Sequence, residues 1–160
     1  MANEHFVDTL VGIVDTAGVA RGLIEVEITE SVAMESLDTV QMQFERLKKA
    51  GFSIAIDDFG TGYSSLGILA KLPVDVIKID RSFIMGLNSN PNSRKLLAGI
   101  VSIVASLERH IVCEGVEKAT QLALLRDMGC RVIQGFCYGR PMPPEAFAAF
   151  AGADPHEPEA

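Results

Sequence analysis

The sequence predicts an α/β fold in which a parallel sheet curls into part of a β/α barrel. Helix-period and strand-period segments alternate along the chain with short connections, the pattern of strands joined by crossover helices. Each strand segment is apolar on one side and carries polar groups on the other, near its C-terminal end. The chain's 160 residues suit one domain with a substantial core.

The elements follow in order. Phe6, Leu10, Ile13, Val14 and Ala17 recur at helical spacing, so a first helix is expected over residues 5–17, ended by Gly18 and Gly22. LIEVEI, residues 23–28, alternates apolar and acidic residues as a strand does. Ser36 is a fitting N-cap for a helix with Leu37, Val40, Phe44 and Leu47 on one face, Lys48 and Lys49 in its last turn and Gly51 just beyond. Residues 53–57 form the second strand. A short helix over 64–71 stops before Pro73, and VDVIKI, residues 74–79, is the third strand. A long helix over 93–108 leads to HIVC, the fourth strand at 110–113. A helix over 118–128 ends at Gly129, a short fifth strand covers 132–134, and a last helix spans 144–150. The tail from Gly152 is poor in apolar residues and is expected to be disordered.

Strand side chains alternate sides. Val26 and Ile28 oppose Glu25 and Glu27, and Ile54 and Ile56 oppose Ser53, Ala55 and Asp57. Ile77 and Ile79 oppose Val76, Lys78 and Asp80, Ile111 and Cys113 oppose His110, Val112 and Glu114, and Gln134 shares its side with Val132. An open doubly wound sheet is covered by helices on both faces and needs both apolar. A barrel has an interior, with its chemistry where the strands end. The parity therefore favours the barrel.

Net charge is −7, against a nucleic-acid polymer as partner, which calls for a basic face. Acid excess suits cation binding or a solvated surface. The three cysteines, Cys113, Cys130 and Cys137, lack CxxC spacing and read as reduced thiols. No signal-peptide pattern or membrane-length apolar run is visible. These features together lead to an expectation of a cytoplasmic protein.

At the strand ends stand Glu27, Asp57, Asp58, Lys78, Asp80, Glu114 and Gln134. Singly, a strand Glu is most often solvent-facing, a strand Lys an edge residue, and Gln134 a turn cap. Four of these carboxylates, Glu27, Asp57, Asp58 and Glu114, at the mouth of three strands repel one another unless cations or a lysine neutralise them. Hard oxygen donors in such a number suit Mg²⁺ or Mn²⁺. The adjacent Asp57 and Asp58 suit a two-ion site, and such a site performs in-line displacement at phosphorus. The triplet Asp58-Phe59-Gly60 has no kinase meaning here, because the accompanying glycine loop, lysine strand and His-Arg-Asp loop are missing.

These residues lie in runs that resemble a known family. Glu27-Ile-Thr-Glu30-Ser, Asp57-Asp58-Phe-Gly-Thr-Gly-Tyr-Ser-Ser-Leu66, Leu72-Pro-Val-Asp-Val-Ile-Lys78-Ile-Asp-Arg-Ser-Phe83, Glu114-Gly-Val-Glu117, and Gln134-Gly-Phe136 with Arg140-Pro141 are similar to the EAL domain of bacterial cyclic di-GMP phosphodiesterases. The resemblance runs in order from about Phe6 to Phe147. It implies a modified TIM barrel that linearises cyclic di-GMP to pGpG with two Mg²⁺ or Mn²⁺ ions. It further implies Glu27, Asp57, Asp58 and Glu114 as metal ligands, and Lys78 and Gln134, with Glu114, in the catalytic machinery. Asp80, Glu117 and Pro141 would hold the nucleotide, Glu30 would anchor the loop after Asp58, and residues 58–65 resemble the loop that couples dimerisation to metal binding.

The Glu-Ala-Leu signature itself is missing from the sequence. The expectation is therefore an incomplete EAL-type barrel over residues 1–151, beginning after the family's first two strands and lacking two of its metal ligands, with a tail at 152–160. A full barrel of this kind takes about 250 residues. Exposed sheet edges would then be covered by a homodimer, a domain-swapped assembly or a separate chain. A non-catalytic module that binds cyclic di-GMP or a protein is the alternative function.

Overall fold

The computed structural model describes residues 5–35, 37–61 and 66–152. Helix α1 (Phe6–Thr16) precedes strand β1 (Glu25–Thr29), which runs directly into α2 (Glu30–Glu35). Then follow α3 (Leu37–Ala50), β2 (Ser53–Phe59), α4 (Leu66–Leu69), β3 (Val76–Ile79) and α5 (Arg81–Met85). The chain continues with α6 (Pro91–Ser106), β4 (His110–Cys113), α7 (Ala119–Asp127), β5 (Val132–Ile133) and α8 (Pro144–Ala151).

The five strands form one parallel sheet in the order β1-β2-β3-β4-β5. Spatial order equals chain order, without the reversal that defines a doubly wound sheet. The barrel alternative is thus the one observed, as a five-stranded arc. Pairing of Thr29 with Asp57, Lys78 with Val112 and Cys113 with Ile133 brings the strand ends to one rim.

The Ile/Val side of the sheet is the core. Ile54, Ile56, Ile77 and Ile79 are fully buried with Phe44 and Leu47 of α3, Leu97, Val101 and Val104 of α6, and Leu122 and Leu125 of α7. Each such side chain contributes about 1.5–3 kcal/mol relative to exposure. Cys113 and Cys130 are buried within this core and Cys137 is half-buried; all three are free thiols. No helix among the described residues is long and apolar enough to cross a membrane.

Element bounds differ from the sequence expectation for local reasons. Leu23, expected to open the first strand, lies in a 3-10 turn (Arg21–Leu23) and is 80% exposed. Arg21 holds that turn by binding Asp15 and the Ala50 carbonyl. Strand β2 runs two residues past Asp57, through a register shift between Ile56 and Phe59 where Asp58 takes a left-handed φ of 53°. Helix α6 starts earlier than Ser93 because the Asn90 side chain accepts from Asn92 N–H and Pro91 occupies the first turn. Helices α2 and α5 are additional to the expected elements. The expected N-cap Ser36, the expected helix start at Ser64 and residues 153–160 of the tail lie outside the described residues.

At the opposite, N-terminal rim, Asp75 pairs with Lys48 and accepts from the Ile54 N–H and the Ser53 hydroxyl. Burial pushes its carboxyl up, but Lys48 and the Ile54 N–H outweigh burial and hold it below the ordinary range. Stability from a depressed carboxyl is complete above the unfolded value, about pH 4, and is lost as pH falls through the folded value. Asp75→Ala is expected to cost about 1–3 kcal/mol at neutral pH, measured by urea unfolding, with the gap to wild type closing in acid. An equal loss at every pH would refute the electrostatic origin.

Candidate active site

Lysine 78 stands at the centre of the site. It comes from the middle of β3, flanked by β2 and β4, and its side chain is only 7% exposed. Its Nζ lies 2.6 Å from Glu27 Oε1, 2.8 Å from Glu114 Oε1 and 3.2 Å from Asp57 Oδ1. Each carboxylate comes from, or directly follows, a different strand: Glu27 from β1, Asp57 from β2 and Glu114 from the residue after β4. The alternation of each strand sends these side chains to the same face, opposite the isoleucines.

Burial works against the Lys78 charge, but Glu114, Glu27 and Asp57 more than offset it and raise the ammonium above the ordinary lysine value. Lys78 is therefore a fixed cation. The Asp57 contact is the longest of the three, and its buried Oδ1 makes no hydrogen bond of good geometry.

Glu27, Lys78 and Glu114 of this cluster line a cleft of about 850 Å³, a volume suited to a small-molecule ligand. Gln134 and Pro141 line the same cleft, and its far side is apolar and aromatic, with Phe136, Phe147 and Phe150. The Arg140 guanidinium lies 4.4 Å from the Phe136 ring centroid, a cation–π contact that fixes a basic group at the cleft edge.

The structure brings Glu27, Asp57, Lys78 and Glu114 into one contact set. Asp58 is exposed and lies outside the set that Lys78 binds. Asp80 and Glu117 line the cleft. Asp80 also caps α5, accepting from Ser82 N–H at 2.9 Å; burial raises its carboxyl, and the Ser82 and Arg81 contacts outweigh that and lower it. Glu30 is buried and its Oε2 accepts from Gly60 N–H at 2.7 Å, tying the loop after Asp58 to the start of α2. Gly62, Tyr63, Ser64 and Ser65 of that loop lie outside the described residues.

Sequence reasoning missed what holds the rim together. Gln121 is buried, accepts from the Glu117 and Lys118 N–H groups and donates to the Ile84 carbonyl, joining the Glu114–Glu117 loop to α7 and α5. A Lys-x-x-Gln spacing hides this role, because the familiar helix-start signature begins with Ser or Thr. Gly60 (φ 97°) sits against the Phe83 ring, and a Cβ there would lie 2.1 Å from it. The sequence signal for these contacts was the glycine itself, which marks close approach without saying what approaches.

The donor set fits a hard divalent cation: oxygen donors from separate strands converge on one point, one of them a buried carboxylate oxygen with no hydrogen-bond partner. They are gathered around an ammonium in this structure. Among the described residues no group of three or more His, Cys, Asp or Glu is arranged to hold a metal ion by itself.

Comparison with known proteins gives a consistent result. The family described as "EAL domain" matches residues 1–141. The chain is 40% identical over 153 residues to "Cyclic di-GMP phosphodiesterase NbdA" of Pseudomonas aeruginosa, a match covering 96% of this chain and 20% of that protein. The structure titled "PaMucR Phosphodiesterase, c-di-GMP complex" superposes with a TM-score of 0.87 at 39% identity, over 91% of this chain and 59% of that one. The manganese and cyclic di-GMP complex of Klebsiella pneumoniae BlrP1 superposes with a TM-score of 0.82 at 30% identity, over 88% of this chain and 36% of that one. The chain thus spans about a fifth of the curated relative.

Proposed function

The chain belongs to the EAL domain family, and from that premise we propose that it carries a cyclic di-GMP phosphodiesterase site that opens the ring to pGpG. The observation that carries this reading is the convergence of Glu27, Asp57 and Glu114 on Lys78 at the rim of a nucleotide-sized cleft. The relatives' association with cyclic di-GMP and manganese supports it.

In this reading Glu27, Asp57, Asp58 and Glu114 hold Mg²⁺ or Mn²⁺. Bound there, divalent cations supply Lewis acidity at the phosphodiester and lower the pKa of the attacking water. Lys78 offsets phosphate charge and orients the water, and Gln134 hydrogen-bonds beside it. Asp80, Glu117 and Pro141 hold the nucleotide in the cleft. Glu30 keeps the loop after Asp58 in place through Gly60. Hydrolysis forms a bond from the water oxygen to phosphorus and breaks one P–O3′ bond. The water proton ends on the released 3′ oxygen, giving linear pGpG.

Strands β1 and β5 are the edges of the sheet among the described residues. This supports a working form in which a second copy or another polypeptide segment lies beside them, since proteins normally cover such edges. Free cysteines suit a cytoplasmic setting.

The test is incubation of the purified chain with cyclic di-GMP and Mn²⁺, following pGpG by chromatography with and without chelator. Chelator-sensitive pGpG formation is expected. Cyclic di-GMP binding without turnover would replace this reading with that of a receptor module.

A further inference from the structure

Lys78 occupies the point that the site's carboxylates share. Three carboxylates from neighbouring strands would repel one another in this partly buried rim, and the ammonium is what offsets that repulsion. We propose that Lys78 is a resident counter-ion that holds Glu27, Asp57 and Glu114 in place of a divalent cation, so that cation loading is an exchange in which the lysine yields these carboxylates. This rests on the cation-dependent reading above and adds a regulation of the same site.

The three contacts are unequal, and their order describes the exchange. Glu27 is 47% exposed, whereas Asp57 and Glu114 are 23% and 19% exposed and lie deeper in the rim. The buried Asp57 Oδ1, at 3.2 Å and without a hydrogen bond, is the oxygen the ammonium satisfies least. The Lys78 backbone is paired with Val112 of β4, and its neighbours Ile77 and Ile79 are paired with Ile56 and Phe59 of β2, so the exchange is a movement of the side chain alone. The site then resists loading at low cation concentration and keeps its carboxylates gathered until a cation binds.

The experiment compares Mn²⁺ binding by wild type, Lys78→Met and Asp57→Asn, reading free Mn²⁺ by electron paramagnetic resonance. Lys78→Met removes the competing charge at similar length and is expected to bind Mn²⁺ at least about tenfold more tightly than wild type. Asp57→Asn is expected to bind more weakly. Unchanged or weaker binding by Lys78→Met, with Asp57→Asn still impaired, overturns the exchange while leaving the cation-dependent reading intact. Absence of Mn²⁺ binding by all three proteins overturns both. Lys78→Met is also expected to melt lower than wild type without cation and to recover that loss in Mn²⁺. Should this variant fail to fold, the side-chain ammonium signal of Lys78 in ¹⁵N-lysine-labelled wild type decides the matter. A shift on Mg²⁺ saturation supports the exchange, and an unmoved signal overturns it.

Discussion

Asp57→Asn is expected to lower kcat/KM for cyclic di-GMP hydrolysis by at least about 100-fold while leaving the fold intact. The change is nearly isosteric and removes one negative charge from the Glu27, Asp57, Lys78 and Glu114 set. Asp57 lies on β2, between β1 and β3, where its side chain reaches the focus of the site and its Oδ1 is buried without a hydrogen bond. An amide in that position is a weaker ligand for a hard cation. A bound cation's polarisation of the phosphodiester is worth several kcal/mol, and each 1.36 kcal/mol is about tenfold in rate. Stability is expected to change little, because Glu27 and Glu114 still neutralise Lys78. The measurement is steady-state kinetics across a Mn²⁺ titration, with circular dichroism as the control for folding. Wild-type turnover by Asp57→Asn would remove this residue from the proposed ligand set.

Gly135→Ala is expected to destabilise the protein by about 3 kcal/mol, at the upper end of ordinary overpacking. A Cβ at residue 135 would lie 2.1 Å from the Val116 carbonyl oxygen, 2.5 Å from its nitrogen and 2.7 Å from its carbonyl carbon. Those are backbone atoms and cannot rotate away. The same contact is tied by hydrogen bonds from Val116 N–H to the Gln134 carbonyl and from Cys137 N–H to the Val116 carbonyl. Relief of the clash would therefore break the join between the loop after β4, which carries Glu114 and Glu117, and the segment after β5, which carries Gln134. Urea unfolding at unchanged m-value measures the loss. A midpoint equal to wild type would show that these loops do not depend on the close approach.

The barrel class was legible because strand parity carries a physical meaning that survives without coordinates. The Ile77/Ile79 and Lys78/Asp80 alternation reports two environments on one strand, whatever the strand pairs with. Glu27, Asp57, Lys78 and Glu114 were legible for the same reason, since their alternation and nearness to strand ends place them on one rim. Asp58 was less legible. It was grouped with Asp57 by adjacency; the structure adds that Asp58 lies at a register shift with a left-handed φ, and a bulge cannot be read from alternation. The roles of Gln121, Phe83 and Val116 were hidden because each depends on a contact with a distant segment, at Glu117 and Ile84, Gly60 and Gly135 respectively.

The sequence by itself determined the alternation of helices and strands, the core face and the polar side chains at the strand ends, because periodicity and residue type are local properties. Only the tertiary structure decided that Lys78 is the cation those carboxylates share, that Asp58 sits at a register shift in β2, and that the rim is built on backbone contacts at Gly135. Distances between side chains on different strands depend on register and twist, which arise from the packing of the whole sheet.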